Sequence, residues 1–124
     1  EGWCTIFNAL SNTPQSKIAS WDLSPLPRRK SEMTPKVTKS LLAYLAATSS
    51  LTSLRLGGNT LKDKGVTSIC KALQSNKQTK LASLDMNSNG ITLTGAKSVA
   101  AMLTAIASLA SLRLYYNGLK DRGT

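Results

Sequence analysis

The chain has 124 residues, with 16 Lys and Arg against 6 Asp and Glu, two Cys and no His, for a formal net charge of +10. An apolar fraction of 41% with 18% charged residues is globular in character and excludes wholesale disorder. The absence of His removes the usual general base and the commonest metal ligand, and two Cys make neither a disulfide framework nor a Cys-rich zinc site. Catalysis, metal binding and cofactors are therefore not expected.

Along the chain, the first element reads as a helix. Gly2, Ile6 and Leu10 recur 63 residues later as Gly65, Ile69 and Leu73. In the same frame, Ile18-Ala-Ser-Trp21-Asp-Leu23 lies over Leu81-Ala-Ser-Leu84-Asp-Met86 and reads as a strand. Residues 24–36, with Pro25, Pro27 and Pro35, break the frame and predict an irregular loop. Beyond it, apolar residues at helical spacing predict helices over 36–48 (Val37, Leu41, Leu45), 65–75 (Val66, Ile69, Leu73) and 94–107 (Val99, Met102, Leu103, Ile106). The longest apolar stretch, 99–110, is interrupted by Thr104 and Ser108 and falls short of the ~18 residues a membrane span needs. The N-terminus has no basic region followed by an apolar run, so no signal peptide is visible, and two unpaired Cys in apolar contexts suit a reducing, intracellular compartment.

Between the helices one pattern recurs. Leu51-Thr-Ser-Leu54-Arg-Leu56-Gly-Gly-Asn59-Thr-Leu61 is followed 30 residues later by Leu81-Ala-Ser-Leu84-Asp-Met86-Asn-Ser-Asn89-Gly-Ile91. After a further 28 comes Leu109-Ala-Ser-Leu112-Arg-Leu114-Tyr-Tyr-Asn117-Gly-Leu119. Each is trailed by a Gly at the same offset: Gly65, Gly95 and Gly123. Internal repetition of this period marks a solenoid whose units complete one another's cores.

These residues resemble the leucine-rich repeat family, in its longer, ribonuclease-inhibitor-like subtype. The resemblance implies an α/β solenoid over residues 1–124, with a curved parallel sheet on the concave face and helices on the convex face. It implies about four repeats belonging to a longer array cut inside a repeat at each end, with the loop 24–36 as an insertion. Asn59, Asn89 and Asn117 are then expected to form a structural ladder, using their amides on backbone groups of the turns. The ladder should be interrupted at Leu26, which stands where an Asn is expected. Trp21 and Cys70 take core positions in the repeat frame, and both are read as packing residues.

On a strand, alternate side chains face away from the core. The outward rows across the four strands are Ser20, Ser53, Ser83, Ser111; Asp22, Arg55, Asp85, Arg113; and Ser24, Gly57, Asn87, Tyr115. The middle row should be an alternating acid–base ladder, in which Arg55 between two carboxylates opposes the raised pKa of an acid catalyst. Asp22, Arg55, Asp85, Asn87, Arg113, Tyr115 and Tyr116 are the candidate partner-binding residues of the concave face. The excess positive charge falls on loops and helices, and Arg28, Arg29, Lys30, Lys62, Lys64, Lys120 and Arg122 form a candidate basic edge. The expected partner is another protein with an acidic surface. An accessory or scaffold role in a multisubunit assembly ranks second, and a nucleic acid or other polyanion ranks third because no aromatic residues interleave the basic cluster.

Overall fold

The computed structural model describes residues 2–13 and 16–119. Within them helices and strands alternate: α1 (Gly2–Ser11), β1 (Ser20–Asp22), α2 (Pro35–Ala47), β2 (Ser53–Arg55), α3 (Lys62–Ser75), β3 (Ser83–Asp85), α4 (Leu93–Ala105) and β4 (Ser111–Arg113). The four strands form one parallel sheet in sequential order, with Trp21, Leu54, Leu84 and Leu112 in register. Each helix packs on the next, α1 on α2, α2 on α3 and α3 on α4. The chain is an α/β leucine-rich repeat solenoid.

The repeat motif explains the layers. Leu51, Leu54 and Leu56, and then Leu81, Leu84 and Met86, point from the strands toward the helices and are buried. They meet Val66, Ile69, Cys70 and Leu73 of α3 and Val99 and Met102 of α4 in one core. Burying each such side chain stabilises the fold by roughly 1.5–3 kcal/mol relative to leaving it exposed. Tyr44, which apolar spacing did not single out, is fully buried, whereas Leu103 is 45% exposed and lies off the packed face of α4.

Beyond the strands the repeats are joined by their asparagines. The Asn89 side-chain oxygen accepts the N–H groups of Asn59 (3.0 Å) and Leu61 (3.2 Å), and that of Asn117 accepts those of Asn89 (2.9 Å) and Ile91 (3.0 Å). Their amide groups donate backward, Asn59 to the Leu23 carbonyl (3.1 Å), Asn89 to that of Leu56 (2.9 Å) and Asn117 to that of Met86 (3.1 Å). Each Asn thus ties its own turn to the repeat before it. A second asparagine, Asn76 at the C-terminal end of α3, donates to the carbonyls of Leu45 (2.9 Å) and Thr48 (2.6 Å). It links the helix ends as the others link the turns.

The first repeat departs from this scheme for a covalent reason. Gly58 and Ser88 donate their N–H groups to the carbonyls of Asn87 and Tyr115 in the next repeat, at 2.9 Å each. The register puts Pro25 at the same position, stacked on Gly58, and proline has no N–H to give. The loop turns away there. Leu26 is 70% exposed, and a turn closes through the Arg29 N–H on the Leu26 carbonyl (3.0 Å), with Pro27 and the left-handed Arg28 (φ 63°) at its centre. The ladder nevertheless has an end: the Ser31 hydroxyl donates to the Asn59 side-chain oxygen and stands in for the missing Asn. The loop closes into α2 through Thr34, whose hydroxyl caps the Val37 N–H, with Pro35 opening the helix.

Beneath this repeat the leucine core gives way to aromatics. Trp3, Phe7, Trp21 and Tyr44 pack with ring centroids 5.5 to 6.5 Å apart, and the Trp21 indole N–H donates to the Tyr44 hydroxyl at 3.1 Å. Such pairs contribute roughly 0.5–1.5 kcal/mol each beyond area burial.

Candidate interaction surface

Parallel register sets the outward rows side by side. Ser20, Ser53, Ser83 and Ser111 are consecutive partners across the sheet, and so are Asp22, Arg55, Asp85 and Arg113. Together they line a shallow groove of about 410 Å³ on the open face of the sheet. At the strand ends, Gly57 lies between Ser24 and Asn87, where a Cβ would sit 3.7 Å from the Ser24 hydroxyl oxygen and 3.5 Å from the Asn87 carbonyl.

The charged row is less uniform than simple alternation implies. Among the described residues its one ion pair is Arg55–Asp22, at 3.8 Å, with both side chains about half exposed. An exposed pair of this kind is worth ~0–1 kcal/mol. The acids are occupied by their own turns: Asp22 accepts the Ser24 N–H and Asp85 the Asn87 N–H, each at 3.0 Å. The row alternates in sign as the register sets it, but Asp85, unlike Asp22, forms no ion pair with its cationic neighbours among the described residues. Arg113 stays exposed. Asn87 accepts the Tyr115 N–H at 2.6 Å, and the two tyrosines extend outward, Tyr115 65% and Tyr116 89% exposed. Tyr116 holds φ at 59°, in the turn position that Gly58 fills two repeats earlier.

On the strand-to-helix side, Arg28, Arg29, Lys30, Lys62 and Lys64 are exposed. Lys120 and Arg122 of the expected basic edge lie outside the described residues. Asp63, placed among these cations in the sequence, forms no ion pair with them among the described residues. It reaches to the next repeat, accepting the Thr92 N–H at 2.7 Å and the Thr92 hydroxyl, and so caps α4 from outside. The Thr92 hydroxyl, then its N–H, hold the Asp63 carboxyl below the ordinary carboxylate range. Spacing alone did not reveal this contact. The signal was present in Gly95, because a Cβ there would collide with the Asp63 carboxylate and come within 2.8 Å of Ile91 Cγ2.

The groups that would carry chemistry are set apart or buried. Cys4 and Cys70 are free and buried, and burial pushes the Cys70 thiol up to about 11, far from a nucleophile. No cluster of metal-ligating side chains occurs among the described residues. No helix among them is long and apolar enough to cross a membrane.

Comparison with known proteins agrees with this geometry. A family model described as "Leucine Rich repeat" matches residues 48–70 and 77–100, the two most regular repeats. No curated protein matches the chain in sequence. Among solved structures, "Leiomodin-1 Actin-Binding Site 2 (ABS2)" superposes with a TM-score of 0.71 at 17% identity, over 93% of this chain and 61% of that one. The chain thus spans about three fifths of the length of that structure.

Proposed function

With the chain a leucine-rich repeat solenoid, we propose that it is a protein-interaction module that binds its partner across the open, concave face of the sheet, with the basic loop edge engaging acidic groups at the rim. The observation that carries this reading is the polar groove of Ser, Asp and Arg rows, flanked by two tyrosines that the fold leaves exposed. Aromatic and Arg side chains are the residue types that dominate binding hot spots. Arg55 and Arg113 supply the groove's positive charge, while Asp22 and Asp85 are engaged by their own turns. Arg28, Arg29, Lys30, Lys62 and Lys64 add a cationic margin that favours an acidic partner and speeds its encounter.

The name of the leiomodin-1 structure makes actin the first protein to assay, although the likeness to it supports the fold and not the partner. The test is affinity capture with the whole protein, comparing wild type with the double charge reversal Arg55→Glu, Arg113→Glu. The reading expects a protein companion at fixed stoichiometry whose capture falls by ~10-fold or more in the double variant. Capture unchanged by the reversal would remove the concave face from the account. Binding only to RNA, with affinity falling steeply as salt rises, would replace the protein partner with a polyanion.

A further inference from the structure

We propose that the cleft beneath the irregular loop is a second docking site, one that takes a single large apolar side chain of a partner peptide whose neighbouring residues are Asp or Glu. It goes beyond the concave-face reading in its apolar walls, which the sheet groove lacks, while it shares Asp22 with that groove and Arg28, Arg29 and Lys30 with the basic edge. Trp3 of α1, Leu23, Pro25, Leu26, Met33 and Val37 wall a cleft of about 410 Å³. That lies within the range of about 300–1,000 Å³ typical of sites that bury small ligands. The walls are apolar yet incompletely covered: Trp3, Leu23 and Met33 are only partly buried, and Leu26 is 70% exposed.

Charge selects the flanks of the occupant. Arg29 and Lys30 line the rim, with Arg28 beside them, and none of the three forms an ion pair among the described residues. Glu32 is on the same rim, so the balance there is positive. Asp22 adds a carboxylate at the inner end, but Arg55 and the Ser24 N–H already engage it. A carboxylate beside the anchoring side chain would meet uncompensated cations. A cationic flank would meet repulsion.

The loop is also held ready. The turn over Leu26–Arg29, the Ser31 bond to Asn59, the Met33 N–H on the Ser31 hydroxyl (2.9 Å) and the Thr34 cap of α2 fix it at successive points. Two prolines restrict its first residues further. Little ordering is then left for binding to supply, which is the condition under which a short peptide binds usefully.

The test uses short acetylated and amidated peptides with one Phe between two Asp-Glu pairs, titrated into the isotope-labelled whole protein and followed by amide shifts and Trp fluorescence. The expected result is saturable perturbation at Leu23, Leu26, Met33, Val37 and the Trp3 indole. Replacing the peptide Phe by Ala, or its acids by amides, should each weaken binding by ~10-fold or more. The protein variants Leu26→Ser and Arg29→Glu with Lys30→Glu should do the same, while Arg113→Glu, which lies in the sheet groove and not in the cleft, leaves binding unchanged. The exposed positions of Leu26, Arg29 and Lys30 keep these variants folded. Shifts centred on Ser53 and Ser83, affinity indifferent to the Arg29 and Lys30 reversals, or the same shifts appearing without peptide as the protein self-associates would each overturn the proposal.

Discussion

The repeats from β2 to β4 and the repeat that begins with β1 solve one structural problem in two ways. In the regular repeats each turn gives backbone N–H groups and an Asn side chain to its neighbour, and the core is aliphatic. In the first repeat Pro25 withholds the N–H, a Ser hydroxyl ends the ladder, and packed aromatics, stacked and edge-on, fill the space below. Regularity there converts turn polar groups into internal bonds between repeats. Irregularity leaves a proline-stiffened loop with exposed Leu26 and unpaired cations, which is surface available for recognition. On the proposed reading, stability and docking capacity are divided along the chain.

The sharpest way to break the contrast is at its strongest link. Asn89→Ala removes an amide that is fully buried and strands the N–H groups of Asn59 and Leu61, while the Leu56 carbonyl keeps only the Asn59 amide. It should lower unfolding free energy by about 3–5 kcal/mol, read as a fall in the urea midpoint. Gly95→Ala comes next: its Cβ would overlap the Asp63 carboxylate and Ile91, costing ~1–3 kcal/mol and loosening the α4 cap. An Ala at 95 that proves neutral would mean that the third repeat is packed less tightly than described. Ser31→Ala touches only the end of the ladder and should cost ~1 kcal/mol, well below Asn89→Ala. Equal effects of the two would erase the distinction between the regions.

The smallest effect is the pH dependence of the α4 cap. Thr92 lowers the folded-state pKa of Asp63, so the unfolded chain binds this proton more readily than the folded one. The stabilisation is complete above the unfolded value of about 3.9 and is lost as pH falls through the lower folded value. Asp63→Asn should therefore flatten part of the acid limb of the stability profile without altering the plateau's shape near neutral pH. An unchanged acid limb would show that the carboxylate contact is dispensable.

Much of the fold was legible because it is periodic. Leu54, Leu84 and Leu112 shared one frame, and the same frame fixed the serine and charged rows, since strand residues alternate faces. The Asn positions were legible for the same reason. What lay outside the frame was every contact made by a side chain whose partner is set by three-dimensional approach: Ser31 reaching Asn59, Asp63 reaching Thr92, and Asn76 reaching the end of α2. Tyr44 lies at helical spacing from Val37 and Leu41, but its pairing with Trp21 across the repeat is set only by the fold. The candidate surface was readable as rows, but not which members of the charged row pair, since Asp22 meets Arg55 and Asp85 meets neither neighbour among the described residues.

The central claim is that partners meet this solenoid on its open face and at its irregular loop, and not on its helices. A photo-crosslinking amino acid placed in the whole protein singly at Tyr115, at Leu26 and at the exposed Lys71 of α3 measures this directly. Protein adducts at Tyr115 and Leu26, with Lys71 silent, are the predicted result. Adducts at Lys71 as strong as those at the other two positions would contradict it.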